Sequence, residues 1–188
     1  MGALTLANQL TLLRLGLVPA FVILVLYGRF GWALAAFVAA GLTDGLDGLI
    51  ARWKHQQTAL GAVLDPMADK LLLVSAFVVL SLPGLGLTNR IPVWLTVLVI
   101  SRDVAIVVTV AIVSMTMGHR KFPPSIYGKI ATATYIVTIA VVLFFNFLRQ
   151  TSVLVGIGVW TCLAITLISG LHYTVHLRRM LNEPPASS

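Results

Sequence analysis

The chain has 188 residues, 59% of them hydrophobic and only 10% charged, with a mean hydropathy of +0.98. That balance excludes an ordinary soluble domain and indicates an integral membrane protein, with length for one membrane domain over residues 1–183 and no second globular unit. The net charge of +7 comes from 13 Lys and Arg against 6 Asp and Glu. Because the basic residues flank or interrupt apolar runs, anionic lipid head groups and phosphate-bearing substrates suit it better than nucleic acid.

A cleavable signal peptide is not expected, because no Lys or Arg precedes Arg14 and Arg14 itself interrupts the first apolar run. The first predicted span runs from about Asn8 to Tyr27 and ends in the turn Gly28-Arg29-Phe30-Gly31. The second begins near Trp32 and carries Asp44 and Asp47 towards its end. Arg52, Lys54, His55, Gln56 and Gln57 form a polar loop, and a third span covers about Ala59 to Leu82. After Pro83 and a Gly-rich stretch, the fourth span, Pro92 to Met117, holds Arg102 and Asp103 in its interior. His119-Arg120-Lys121 with Pro123 and Pro124 marks the next loop. The fifth span, Ser125 to Leu148, has Lys129 near its start, and the sixth, Ser152 to His176, leads to Arg178-Arg179. Residues 184–188 read as a short disordered tail. Each span has the roughly 20 residues that cross a hydrocarbon core, and β-barrel alternation is absent. The fold expected is all-α and polytopic, with six transmembrane helices. Arg52, Lys54, Arg120, Lys121, Arg178 and Arg179 fall on one side and Arg29, Arg90 and Arg149 on the other. The richer side is cytoplasmic by the positive-inside rule, which places both termini and the aspartate-bearing helix ends there, in a plasma (inner) membrane. The lone Cys162 lies in an apolar run and offers neither a disulfide framework nor a thiolate metal site.

The acidic residues carry the chemistry. Four of the six, Asp44, Asp47, Asp65 and Asp69, fall within 26 residues. A single aspartate at the centre of a membrane helix costs about 2.5–3.5 kcal/mol on insertion scales, so four together call for a positive partner. Hard carboxylate oxygens suit one or two octahedral cations such as Mg2+ or Mn2+. Asp44, Asp47, Gly48 and Ala51 stand at i, i+3, i+4 and i+7, one helical face, and Gly61, Asp65 and Asp69 stand at i, i+4 and i+8 on the next helix. The short connection between the helices makes them antiparallel neighbours. Gly45, Gly48, Ala51 and Gly61 leave room beside the metals for a bulky phosphate ligand, and Pro66 weakens helical hydrogen bonding there. Buried salt bridges and tight helix packing by small residues are the structural alternative. Paired intramembrane acids also permit a metal or proton transporter, though the chain lacks the repeated halves common in transporters.

Asp44-Gly45-Leu46-Asp47-Gly48-Leu49-Ile50-Ala51-Arg52, then Gly61, Asp65 and Asp69, resembles the signature of the CDP-alcohol phosphatidyltransferases, with every fixed position present at the right spacing. The resemblance implies a CDP-linked lipid, CDP-diacylglycerol, whose pyrophosphate sits on two metal ions. It implies metal ligation by Asp44, Asp47, Asp65 and Asp69, with Asp69 also the catalytic base. The nucleotide-binding residues implied are Asp44, Gly45, Gly48, Ala51, Arg52, Gly61 and Asp65. A homodimer is implied as well. The second substrate is read from the other charges within spans, Arg14, Arg102 and Lys129, with Lys70 the weakest candidate because it turns away from the Asp69 face. Arg14 has snorkelling to the interface as its alternative. With the four aspartates given to metal, only Asp103 remains inside the spans to neutralise the four cations, and as Arg102's neighbour in sequence it is expected to point elsewhere on the helix. The surplus suggests a phosphate-bearing acceptor. Asn8, Thr11, Arg14 and Pro19, the run from Leu64 to Lys70, Tyr127-Gly128-Lys129 with Thr132, and Ser169-Gly170-Leu171-His172-Tyr173 resemble the phosphatidylglycerophosphate synthases, whose acceptor is glycerol-3-phosphate. Arg102-Asp103, where those enzymes commonly have Arg-Glu, and Pro124-Ser125 also resemble the cardiolipin synthases of the same family, whose acceptor is phosphatidylglycerol. Glycerol-3-phosphate is the acceptor expected.

Overall fold

Each apolar run becomes one α-helix, the conformation that satisfies every backbone donor and acceptor within the segment. A computed structural model describes residues 6–54, 59–117 and 126–182, with side-chain surroundings over 12–43, 67–68, 70–109 and 126–174. Among the described residues there are six helices: α1 (Leu6–Leu26), α2 (Phe30–Lys54), α3 (Ala59–Ser81), α4 (Val93–Met117), α5 (Ile126–Phe147) and α6 (Val153–Asn182). Of the expected loop residues, His55, Gln56, Gln57 and the segment from His119 to Pro124 lie outside the described residues, as does the tail from 184 to 188.

Two boundaries differ from the sequence reading. Arg52 and Lys54 were expected in a loop but belong to the last turns of α2. Likewise α6 continues past His176 through Arg178 and Arg179 to Asn182. Helical hydrogen bonds propagate along the backbone without regard to side-chain polarity, and basic residues suit a helix C-terminus, so neither helix stops where its apolar run does. Pro66 leaves α3 unbroken and Pro19 sits within α1.

The helices α5 and α6 contain Ile126–Phe147 and Val153–Thr174, each long and apolar enough to cross a membrane. The apolar stretches Leu12–Leu26, Phe30–Thr43 and Lys70–Ser81 are shorter. Large apolar side chains cover the outside of the bundle, among them Val97, Val107, Val137, Trp160 and Leu171. Exposed apolar surface on this scale suits a hydrocarbon solvent rather than water.

The element that organises the packing is α1, which contacts both α2 and α3; α2 and α3 also touch each other. On the other side α5 packs on α6 and α2, while α4 lies against α6 and α3. The core between them holds Phe21 against Phe37, with ring centroids 5.8 Å apart, and Phe77 edge-on to Tyr135 at 5.5 Å. A Cβ at Gly158 would lie 2.9 Å from Thr138, so α5 and α6 approach closely through a residue without a side chain. Cys162 is buried in this seam 3.2 Å from the Thr138 hydroxyl, in keeping with a packing role.

One end of the bundle is closed by amides. The Asn89 backbone N–H donates to Asn146 Oδ1 at 3.0 Å, and Asn146 Nδ2 donates back to the Asn89 carbonyl at 2.8 Å. Asn89 Nδ2 donates to the Gln150 carbonyl at 2.6 Å, and its Oδ1 accepts from the Ser152 N–H at 3.2 Å. The α3–α4 loop is thereby fastened to the α5–α6 turn. The α1–α2 turn lies at the same end, where Gly28 adopts φ 67° and lets the chain pass from α1 to α2 through three residues.

Candidate active site

The opposite end gathers the charged residues. Asp44, Gly45, Asp47, Gly48, Ala51 and Arg52 lie on α2, and Gly61, Asp65 and Asp69 on α3. Both helices are continuous through these positions, so the spacing of Asp44, Asp47, Gly48 and Ala51 does fall on one face of α2, and that of Gly61, Asp65 and Asp69 on one face of α3. The side chains of these residues lie outside those described. Among the described residues no group of three or more His, Cys, Asp and Glu assembles. As a donor set, four carboxylates on two helices that touch suit hard divalent cations.

Arg14 stands on α1, the helix on which both aspartate-bearing helices pack, and its side chain is 0% exposed. Snorkelling to the membrane interface is therefore ruled out for Arg14. A guanidinium buried to this degree inside a bundle belongs to the protein interior.

A second polar cluster begins one residue beyond Asp69. Lys70 on α3 donates to Asp103 Oδ2 on α4, and Arg102 Nη1 donates to Asp103 Oδ1 at 2.6 Å. Arg102 Nη2 donates to the Ser169 hydroxyl on α6. The Arg102 and Asp103 side chains are 10% and 12% exposed, whereas Lys70 remains 44% exposed. Arg102 Nε is buried without a hydrogen-bond partner among the described residues. On α5, Gly128 lies beside the same guanidinium, its Cβ position 3.6 Å from Arg102 Nη2, and the neighbouring Tyr127 ring meets His172 of α6 at 4.6 Å between centroids. Lys70 of α3 and Arg102 of α4 thus share one carboxylate, and residues of α5 and α6 surround the guanidinium.

This cluster corrects two expectations. Asp103 does not point away from Arg102: adjacent Cα atoms on a helix are about 3.8 Å apart, and the long arginine stem reaches round to its neighbour. Lys70, the weakest of the acceptor candidates, pairs with Asp103. Lys129, expected among buried cations, is exposed. Of the acceptor candidates, the described contacts bring Gly128, the neighbour of Lys129, beside Arg102; no described contact joins either to Arg14. Ser169 and Asp103 join the cluster without being site candidates from the sequence. Ser169 is signalled only by its place in the run Ser169-Gly170-Leu171-His172-Tyr173.

A model of the family described as CDP-alcohol phosphatidyltransferase matches residues 4–168, which includes the four aspartates and Arg102-Asp103. A Rattus norvegicus protein named cardiolipin synthase (CMP-forming) is 34% identical over 194 residues, covering 93% of this chain and 62% of its own. A Homo sapiens protein of the same name is 45% identical over 107 residues, covering 56% of this chain and 34% of its own. A Mycobacterium tuberculosis protein named probable phosphatidylglycerophosphate synthase is 33% identical over 183 residues, covering 93% of this chain and 82% of its own. The chain thus spans about three fifths of the rat relative's length and a third of the human one's. With the family model matched over most of its length, the chain belongs to the CDP-alcohol phosphatidyltransferase family.

Proposed function

We propose that this protein transfers a phosphatidyl group from CDP-diacylglycerol to the hydroxyl of a phosphate-bearing acceptor and releases CMP, within a single membrane domain of residues 1–183. The observation that carries the reading is the pattern of Asp44 and Asp47 on α2 with Gly61, Asp65 and Asp69 on α3, inside the region that the family model matches. The apolar exterior supports a place in a membrane, and the distribution of basic residues supports six spans with both termini and the aspartates at the cytoplasmic face of the plasma (inner) membrane. A homodimer goes with this reading by resemblance alone.

Asp44, Asp47, Asp65 and Asp69 would hold two Mg2+ or Mn2+ ions. Bound there, such ions neutralise pyrophosphate charge and keep it in line for displacement. Gly45, Gly48, Ala51 and Gly61 leave space for the cytidylyl half, with Arg52 beside it. Asp69 accepts the acceptor's hydroxyl proton as that oxygen attacks the lipid-side phosphorus. The bond from this phosphorus to the CMP oxygen breaks, and CMP departs.

Phosphatidylglycerol is the acceptor the site supports best, giving cardiolipin. The case for glycerol-3-phosphate draws on a surplus of buried cations, and that surplus shrinks once Lys70 and Arg102 share Asp103 and Lys129 is exposed. The names of the rat and human relatives support the same choice. Glycerol-3-phosphate is the second reading, supported by the name of the M. tuberculosis relative. The deciding experiment incubates purified protein with CDP-diacylglycerol, Mg2+ and either radiolabelled acceptor. Cardiolipin is expected. Phosphatidylglycerophosphate alone would move the choice to the second reading, and no CMP from either would overturn phosphatidyl transfer. Uptake of divalent metal into proteoliposomes without CMP release would point to a transporter.

A further inference from the structure

We propose that Asp103 is a specificity-determining residue that sets the charge of the acceptor, favouring a singly charged phosphodiester over a doubly charged phosphomonoester. This rests on the phosphatidyl-transfer reading above. Two cations, Lys70 and Arg102, share the one carboxylate of Asp103, so among the described residues the cluster keeps one net positive charge. Arg102 and Asp103 are nearly buried, where Coulomb terms are weakly screened and a second anionic charge lacks a counterion. Lys70 is 44% exposed and directly follows Asp69, the expected base, on α3, so the cluster begins one residue from the proposed chemistry. Ser169 and Asp103 together hold two of the guanidinium nitrogens, which fixes the arginine and leaves Lys70 as the more adaptable cation. A phosphodiester head group brings one negative charge to this site and balances it. A phosphomonoester brings close to two and would have to compete with Asp103 for the same cations. Lys129 is exposed and its contribution is common to every variant considered.

The test measures kcat and KM of the full chain in detergent with phosphatidylglycerol and with glycerol-3-phosphate, on wild type, Asp103→Asn and Lys70→Gln. Wild type should prefer phosphatidylglycerol. Asp103→Asn preserves shape but removes the negative charge. It should shift the kcat/KM ratio towards glycerol-3-phosphate by about tenfold or more, chiefly through KM, as expected for one close charge pair. Lys70→Gln, which removes a cation, should shift the ratio the opposite way. A purely structural role for Asp103 predicts equal losses with both acceptors and no change of ratio, and that result would overturn the proposal. If Asp103→Asn does not fold, judged by size-exclusion chromatography and thermal melting, Lys70→Gln decides alone: an unchanged ratio overturns the proposal. A wild type that prefers glycerol-3-phosphate also overturns it while leaving phosphatidyl transfer intact, whereas absence of CMP release with both acceptors removes the underlying reading itself.

Discussion

At the α3–α4 end, Asn89 and Asn146 exchange hydrogen bonds as neutral amides, and each donor finds an acceptor. At the opposite end Lys70 and Arg102 share the Asp103 carboxylate and Ser169 holds the guanidinium, with one positive charge left over among the described residues and Asp65 and Asp69 just before Lys70 on α3. At the amide end the Asn89 and Asn146 groups are matched donor to acceptor. Among the described residues the charged end keeps more cation than anion, and charge inside a membrane-embedded bundle is a mark of function by default. On the proposed reading stability and chemistry are separated along the helix axes, and substitutions at the two ends should fail in different ways.

The largest effect is expected from Asp69→Asn. It should lower turnover by about 10²- to 10⁴-fold, the usual contribution of a positioned base, while binding of CDP-diacylglycerol and the melting temperature stay near wild type. Chelation by EDTA should stop turnover as well and be reversed by Mg2+ or Mn2+. Substantial turnover by either preparation would break the assignment of chemistry to this end. Next comes Asn146→Ala. It leaves the Asn89 N–H and C=O unmatched, at about 1–3 kcal/mol for each buried group, and should lower Tm in detergent. Activity per folded molecule should be preserved; a fall in kcat without a fall in Tm would show that the two ends are coupled.

A smaller loss is expected from Gly158→Ala, whose new Cβ would meet Thr138 Cγ2 at 2.9 Å. Overpacking of this kind costs about 1–3 kcal/mol, and Thr138→Ser, which removes Cγ2, should recover part of the lost Tm. The smallest effect belongs to Lys129→Ala. Because Lys129 is exposed, the acceptor KM should rise by less than about tenfold, with the KM for CDP-diacylglycerol unchanged. A rise of a hundredfold would mean that Lys129 is drawn into the site when substrate binds.

Much of this arrangement is legible in the sequence because its determinants are local. Hydropathy marks each helix, and the period of 3.6 places Asp44 with Asp47, and Asp65 with Asp69, before any coordinates are consulted. The amide bracket is not legible, since 57 residues separate Asn89 from Asn146 and neither neighbourhood hints at the other. Asp103 shows a different limit. Helical periodicity fixes where a Cβ points, but Arg102 has a long flexible stem and its guanidinium can reach a neighbour that periodicity places elsewhere. The ends of α2 and α6 fail for a third reason. Composition reports where apolar solvent ends, and a helix such as α6, about 45 Å long over its 30 residues, outruns that boundary.

The reciprocal Asn89–Asn146 contact also bears on biogenesis. As the chain leaves the ribosome, Asn89 is synthesised with α3 and α4 well before α5 delivers Asn146, so the loop amides await their partners while the first four helices are already made. Final docking of the early helices therefore depends on a late one, and a nascent chain halted before α5 should leave Asn89 open to protease or to a water-borne label. Extending the stalled chain past Gln150 should close that window, whereas Asn146→Ala should hold it open in the full-length product.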